Sequence, residues 1–284
     1  MLPPHWRKEV SKWVADDVPS LDVGGFVVGD GATTATLFGK SAGVVAGVPF
    51  FSWVFEELGC TVEWLVDEGS VLPPDIKTEV ARVSGPARKI LLGERTALCA
   101  LSRCSGVATA ARRCRDLAGS WHGEVAGTRK TTPGFRIVEK YGLLVGGAST
   151  HRLDLSHMVM LKDNHVWAAG SITKACEKAK RAAGFASKLE VECRDLDEAL
   201  EACAANADVV MLDNYEPEPL KADAQRIKHK FPHVLIEASG GITEATLPAF
   251  LSPHVDVLSM GALTQGYACI DFSLKLPKPQ NMPS

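Results

Sequence analysis

The chain has 284 residues, 46% of them hydrophobic and 23% charged, enough for one large domain or two moderate ones with a buried core. Lys and Arg number 31 against 34 Asp and Glu, a net charge of −3, which speaks against nucleic acid as a partner because that partner needs a basic face. The most apolar stretch, LFGKSAGVVAGVPFFSWVF (37–55), is broken by Lys40, by glycines and a proline and by two serines, and it falls short of the roughly 20 apolar residues of a membrane span.

In chain order, WRKEVSKWVADDV (6–18) has the spacing of an amphipathic helix, and its charge arrives too early for a secretory signal core. Short, glycine-punctuated strands are expected at ATTATLFGK (32–40), AGVVAG (42–47), TVEWLV (61–66) and EVARVSG (79–85), followed by a long helix from about Arg88 to Leu117. Residues 1–118 therefore read as an α+β domain. The eight cysteines form no CxxC pair and have no histidine at ligand spacing. That pattern predicts buried thiols in a reducing, cytoplasmic compartment rather than a zinc site.

From about residue 121 the rhythm changes. Apolar strand-like runs at GEVAG (123–127), HMVMLK (157–162), KLEVEC (188–193), DVVMLDN (208–214), HVLIEASGG (233–241) and VDVLSMG (255–261) alternate with helical segments. The pair Asp195 and Glu198 looks like a capping box. Repeated βα units imply a parallel sheet, open or closed into a barrel; six strands are legible, not eight. The division is expected at 118/119, with 119–266 forming the barrel. The segment 267–284 is expected to pack back on the first domain, and its proline-rich end, LPKPQNMPS (276–284), to fray.

Polar groups crowd the C-terminal ends of these strands: Arg129 and Lys130, then Lys162 to His165, Glu190 and Glu192, Asp213 and Asn214, Glu237 to Gly241, and Ser259 with Gly261. A single charged strand end is ordinarily a solvated loop. Six in succession point to a ligand site, because that edge is where α/β sheets bind ligands. Period two puts Glu190 and Glu192 on one face of their strand. Residues 129–162 carry a net charge of +4 before histidines are counted. Such a pocket beside carboxylates suits an anionic substrate carried with a divalent cation, and Arg forks grip carboxylates or phosphates in bidentate fashion. The glycines of ASGGI (238–242) and SMGAL (259–263) let backbone N–H groups approach a phosphate. The residues alone thus indicate a barrel-like enzyme for a phosphorylated, metal-associated substrate and a carboxylated partner.

These same residues carry a resemblance. GTRKTTPGFRIVEKYGLLVGG (127–147), THRLDLSHMVMLKDNH (150–165), LEVEC (189–193), VMLDN (210–214), EASGGI (237–242) and DVLSMG (256–261) resemble the quinolinate phosphoribosyltransferase family, the carboxylating nicotinate-nucleotide pyrophosphorylases. The resemblance is dense from about residue 85 to 275 and looser before that, where ADDVPSLDVGGFVVGDGATT matches the family pattern only partly. It implies an open, seven-stranded α/β barrel with a separate N-terminal α+β two-layer sandwich domain. It implies transfer of phosphoribosyl from phosphoribosyl pyrophosphate to quinolinate, with magnesium. The products would be nicotinate mononucleotide, pyrophosphate and carbon dioxide, in de novo NAD synthesis.

Carried over residue by residue, the resemblance assigns quinolinate contacts to Arg95 (from a neighbouring subunit), Arg129, Lys130, His151, Arg152 and Lys162. It assigns Glu192 and Asp213 to the ribose and its magnesium, partly through water, and Ser239, Gly240, Gly241 and Gly261 to the ribose 5-phosphate. The catalytic set it implies is Lys130, Lys162, Glu192 and Asp213, in a homodimer or hexamer. Whether Arg136, Lys140, Glu190 and His165 touch ligand or support the site is left open. Three rivals remain in view: a nicotinate phosphoribosyltransferase without decarboxylation, a noncatalytic metabolite-binding protein, and a phosphosugar isomerase suggested by the glycine loops alone.

Overall fold

A strand is expected at AGVVAG (42–47), and from Val48 on the apolar run folds as helix. A computed structural model describes residues 2–278. In it the chain forms α1 (Trp6–Asp17), α2 (Gly25–Val28), β1 (Ala32–Gly39), β2 (Gly43–Val44), α3 (Val48–Glu57), β3 (Thr61–Trp64), β4 (Val71–Leu72), β5 (Thr78–Pro86) and α4 (Ala87–Ala118). Of AGVVAG only β2 is extended. The chain then turns at Gly47 (φ +105°) into α3, where Pro49 occupies the first turn. The Glu68 carboxylate accepts hydrogen bonds from the backbone N–H of Gly47 (2.6 Å) and Val48 (3.1 Å), satisfying donors at the positive end of the helix. Phe50, Phe51, Val54 and Phe55 are fully buried.

Two compact units result. The first takes residues 2–110, 132–146 and the described residues from 267 on. Its antiparallel sheet runs in the order Phe272–Lys275, β1, β5, β3, with Leu37 opposite Leu274 and Ala35 opposite Val83. Helices cover one face and enclose a core of Val10, Leu37, Phe50, Phe51, Phe55, Ile90 and Leu101, a two-layer α+β arrangement. The helix α5 (Arg136–Val145) belongs to this unit, whereas the sequence places it with the barrel. The tail expected to fray contributes Leu276–Lys278 to the described chain; its remaining residues, 279–284, lie outside it.

The second unit takes residues 111–131 and 147–266, so the division does not fall at 118/119. Its strands are β6 (Glu124–Ala126), β7 (Val159–Leu161), β8 (Leu189–Cys193), β9 (Val209–Asp213), β10 (Leu235–Ser239) and β11 (Val257–Ser259). Between them lie α6 (Asp163–Ala169), α7 (Ile172–Ala183), α8 (Leu196–Ala204), α9 (Pro217–Lys230) and α10 (Leu247–Phe250). All six strands pair in parallel, in the order β6–β11–β10–β9–β8–β7. A parallel bridge from Ala126 to Ser149 adds a seventh strand-like segment beside β6. Strands such as β9 are buried on both faces and read as continuous apolar runs. Asp195 does cap α8, accepting from Glu198 N–H at 2.9 Å, while the Glu198 carboxylate reaches back to Arg194 N–H at 2.8 Å. All eight cysteines are free thiols, and no described helix is long and apolar enough to cross a membrane.

Candidate active site

Parallel strands put every second side chain on the inner face. That alternation brings Glu192, Asp213, Ser239 and Ser259 together near the C-terminal strand ends, with Met211 and Glu237 one step deeper. The loop after β6 adds Thr128, Arg129 and Lys130, the segment after Ser149 adds His151 and Arg152, and the end of β7 adds Met160 and Lys162. The turn after β10 contributes Gly240 and Gly241, and Asn214 closes the rim. The result is a cleft of about 470 Å³.

Ten of the twelve residues singled out in the sequence line this cleft: Arg129, Lys130, His151, Arg152, Lys162, Glu192, Asp213, Ser239, Gly240 and Gly241. Gly261 stands just behind. A Cβ there would lie 3.0 Å from Lys130 Cδ and 3.7 Å from its Nζ, so the missing side chain leaves room for the Lys130 ammonium. Arg95 is not among the lining residues. It sits on α4 in the first unit, in a depression with Trp13, Asp16, Asp17 and Phe135.

The polar groups are arranged in pairs. Lys162 Nζ is ion-paired with Glu192 Oε2. Asn214, at φ +56°, donates its amide to Asp213 Oδ2 at 2.6 Å. Ser259 Oγ donates to Ser239 Oγ at 3.0 Å, and Thr264 Oγ1 donates to Lys130 O at 2.8 Å, fixing that loop. Burial, then the like charge of Glu192, pushes the Asp213 carboxyl above its usual range. Burial, then the neighbouring Arg129, lowers the Arg152 guanidinium, against the opposing pull of Glu190 and Glu237. Arg129 Nε is buried without a hydrogen-bond partner, a donor held ready for an acceptor that the chain itself does not supply.

Below the cleft lies a cluster on the barrel axis. His151 Nε2 is 2.9 Å from Glu237 Oε2 and 4.0 Å from Glu190 Oε2. Glu190 is fully buried, and both its oxygens lack a hydrogen-bond donor. Burial, then the adjacent Glu237 carboxylate, pushes its carboxyl well above the usual range. Glu190 is not among the residues that line the cleft; it lines a second depression with Lys188 and Val209. His165 caps its own helix, accepting from Lys162 N–H at 3.1 Å. Arg136 and Lys140 ride on α5, and none of these three lines the cleft.

Sequence reasoning singled out Asn214, Glu237 and Ser259 only as polar strand ends. It missed Thr128, Met160 and Met211, which carry no charge to betray them. Their one signal is position: Met160 and Met211 fall on the inward alternation of β7 and β9.

Two family models cover nearly the whole chain: the quinolinate phosphoribosyl transferase N-terminal domain over residues 22–105 and its C-terminal domain over residues 107–275. A Rattus norvegicus protein named nicotinate-nucleotide pyrophosphorylase [carboxylating] is 54% identical, over 100% of this chain and 95% of its own. The human protein of that name is also 54% identical, over 94% and 90%. The solved structure of the nicotinate-nucleotide pyrophosphorylase from Francisella tularensis superposes with a TM-score of 0.88 at 32% identity, over 97% of this chain and 98% of that one. With both domains matched and relatives this similar over nine-tenths or more of their length, the chain belongs to the quinolinate phosphoribosyltransferase family.

Proposed function

We propose that the cleft binds quinolinate and phosphoribosyl pyrophosphate and that the residues lining it carry the family's reaction. The chain is a pentosyltransferase: it transfers phosphoribosyl to quinolinate with decarboxylation, giving nicotinate mononucleotide, pyrophosphate and carbon dioxide. The observation that carries the residue assignment is the concentration of Arg129, Lys130, Arg152 and Lys162 in one cleft opposite Glu192 and Asp213.

Quinolinate bears two carboxylates on one pyridine ring. Arg129, with its unpartnered Nε, and Arg152 supply planar forks for them, and Lys162 and Lys130 supply point charges. Arg95 of a second copy would complete the set, which is why a homodimer or a hexamer belongs to this proposal. Ser239 and the main chain at Gly240 and Gly241 suit the 5-phosphate.

Departure of pyrophosphate builds positive charge at the anomeric carbon, as in glycoside cleavage. Glu192 and Asp213 stabilise that charge, while Lys130 and Lys162 take up charge on the leaving group. The pyridine nitrogen then bonds to the anomeric carbon. The ring becomes cationic, the adjacent carbon–carboxylate bond breaks, and its electron pair stays on the ring carbon, which takes a proton as carbon dioxide leaves. Holding both reactants in line supplies up to about 7–11 kcal/mol in favourable cases.

Glu192 and Asp213 offer hard oxygen ligands, and the Asp213 carboxyl is raised by burial first and by the like charge of Glu192 second, a repulsion that a cation would relieve. We therefore assign magnesium to these two residues, partly through water; when bound with the pyrophosphate it neutralises charge on the leaving group. A cytoplasmic compartment is supported by the eight free thiols.

The test mixes the protein with magnesium, phosphoribosyl pyrophosphate and quinolinate labelled in its 2-carboxylate, beside a tube containing nicotinate. Labelled carbon dioxide and nicotinate mononucleotide from the first tube alone are expected. Product from nicotinate alone would move the chain to a transferase without decarboxylation.

A further inference from the structure

His151 belongs to the assigned quinolinate contacts, yet both its ring nitrogens are already engaged. Nδ1 accepts the backbone N–H of Arg152 at 2.7 Å, so that nitrogen carries a lone pair and the proton sits on Nε2. Nε2–H points at Glu237 Oε2, 2.9 Å away. The side chain is 8% exposed, and the residue holds φ +56°, a conformation that a non-glycine residue keeps only when its surroundings impose it. The imposition comes from both ends: the ring through Glu237, and the main chain through the Ser149 hydroxyl, which accepts His151 N–H at 3.3 Å.

Glu237 sits mid-strand in β10, paired in register with Met211 on one side and Val257 on the other. Its backbone cannot shift without disturbing three strands, so its carboxylate is a rigid anchor. Arg152 is itself buried, and its guanidinium donates to Met160 Sδ at 3.2 Å. The route from the anchor to the guanidinium therefore runs Glu237, His151 ring, Arg152 main chain, Arg152 side chain.

We propose that Glu237 is a positioning residue for the quinolinate subsite: through His151 Nε2 it locks the imidazole, whose Nδ1 locks the main chain of Arg152. This rests on the reading of the cleft as a quinolinate site. It also makes His151 part of the support for Arg152 rather than a nitrogen donor to the ligand. Glu190 lies beside the link, 4.0 Å from Nε2, and neither of its oxygens has a hydrogen-bond partner.

The test separates reach from charge. Glu237→Asp keeps the charge but withdraws the acceptor by one methylene, about 1.5 Å. Glu237→Gln keeps an acceptor oxygen at full reach and turns its NH₂ toward Glu190. Quinolinate affinity is measured by calorimetry and quinolinate KM by steady-state kinetics, with the KM for phosphoribosyl pyrophosphate alongside. Glu237→Asp is expected to weaken quinolinate about tenfold, the effect of one lost hydrogen bond, and to leave phosphoribosyl pyrophosphate within about twofold. Glu237→Gln is expected to stay within about threefold on both. Circular dichroism accompanies both variants, and Glu237→Ala replaces Glu237→Asp if the latter does not fold. An Asp variant with unchanged quinolinate affinity, or a Gln variant as weak as Asp, overturns the positioning role. A wild-type protein that neither binds nor turns over quinolinate overturns the reading of the cleft, and the positioning role with it.

Discussion

Arg129 presents a buried Nε with no partner in the chain, and a donor kept in that state is stabilised only when ligand arrives. Replacing it with alanine should raise the KM for quinolinate about 10- to 100-fold, the equivalent of about 1.5–3 kcal/mol for hydrogen bonds to a charged group. The KM for phosphoribosyl pyrophosphate should change little; equal losses for both substrates, in kinetics varying each in turn, would remove Arg129 from the quinolinate contacts. Glu192 makes the opposite kind of contribution. Glu192→Gln keeps the shape and the neighbouring Lys162, yet removes the charge that faces the developing cation, so turnover should fall about 100-fold while the KM for quinolinate holds. An unchanged turnover number would strike Glu192 from the catalytic set. Residues of this kind were legible because they are charged and recur at strand ends. Met160 and Met211 were not, since an apolar residue lining a cleft looks the same in sequence as one in the core. Nor could any spacing rule show that both nitrogens of His151 are engaged, because Glu237 lies 86 positions away.

At the scale of the element, the turn after β10 separates two glycines that look alike in sequence. Gly240 has φ +95°, and a Cβ there would lie 2.3 Å from Asn214 Oδ1 and 2.7 Å from Asn214 N. Gly241 has φ +64° with nothing within 4 Å. Gly241→Ala therefore meets only backbone strain, about 1–2 kcal/mol. Gly240→Ala meets that strain and also pushes on the residue that holds Asp213, so it should lose more stability in urea unfolding and weaken phosphoribosyl pyrophosphate as well. Equal destabilisation by the two substitutions would show that the turn yields at Asn214. The six βα strands and the long α4 were readable because their apolar runs are bounded by turn residues and polar helix faces. The helix α3 was not: Phe50, Phe51, Val54 and Phe55 are all buried, which erases the polar stripe that marks a helical period. The helix α6, with seven residues, is too short to show a period at all.

For the whole molecule, fold class followed from the repeating βα rhythm, but the partition of the chain did not. The strand Phe272–Lys275 does join a sheet with β1, more than two hundred residues earlier, as expected of the segment after 266, but α5 joins the first unit although barrel sequence flanks it on both sides, and that assignment leaves no local trace. Global stability carries a related signature from the barrel axis. Glu190 is fully buried beside Glu237, and its carboxyl is raised well above the ordinary value of 4.5 by burial first and by that neighbour second. The folded chain thus keeps a proton that the unfolded chain releases near the ordinary value. Above that pH the unfolded state binds fewer protons than the native state, so this group makes stability fall as pH rises toward the raised folded value. Glu190→Gln has no proton to release and nearly the same shape. Between about pH 5 and about pH 8 the wild-type melting temperature should therefore drop further than that of the variant, which gains on it at the higher pH. Other titrating groups are common to both proteins and cancel in the comparison. Thermal unfolding followed by circular dichroism at the two pH values decides the matter: parallel pH dependences would mean that Glu190 titrates alike in the folded and unfolded chain, and that Arg152 and Lys162 fully offset its burial.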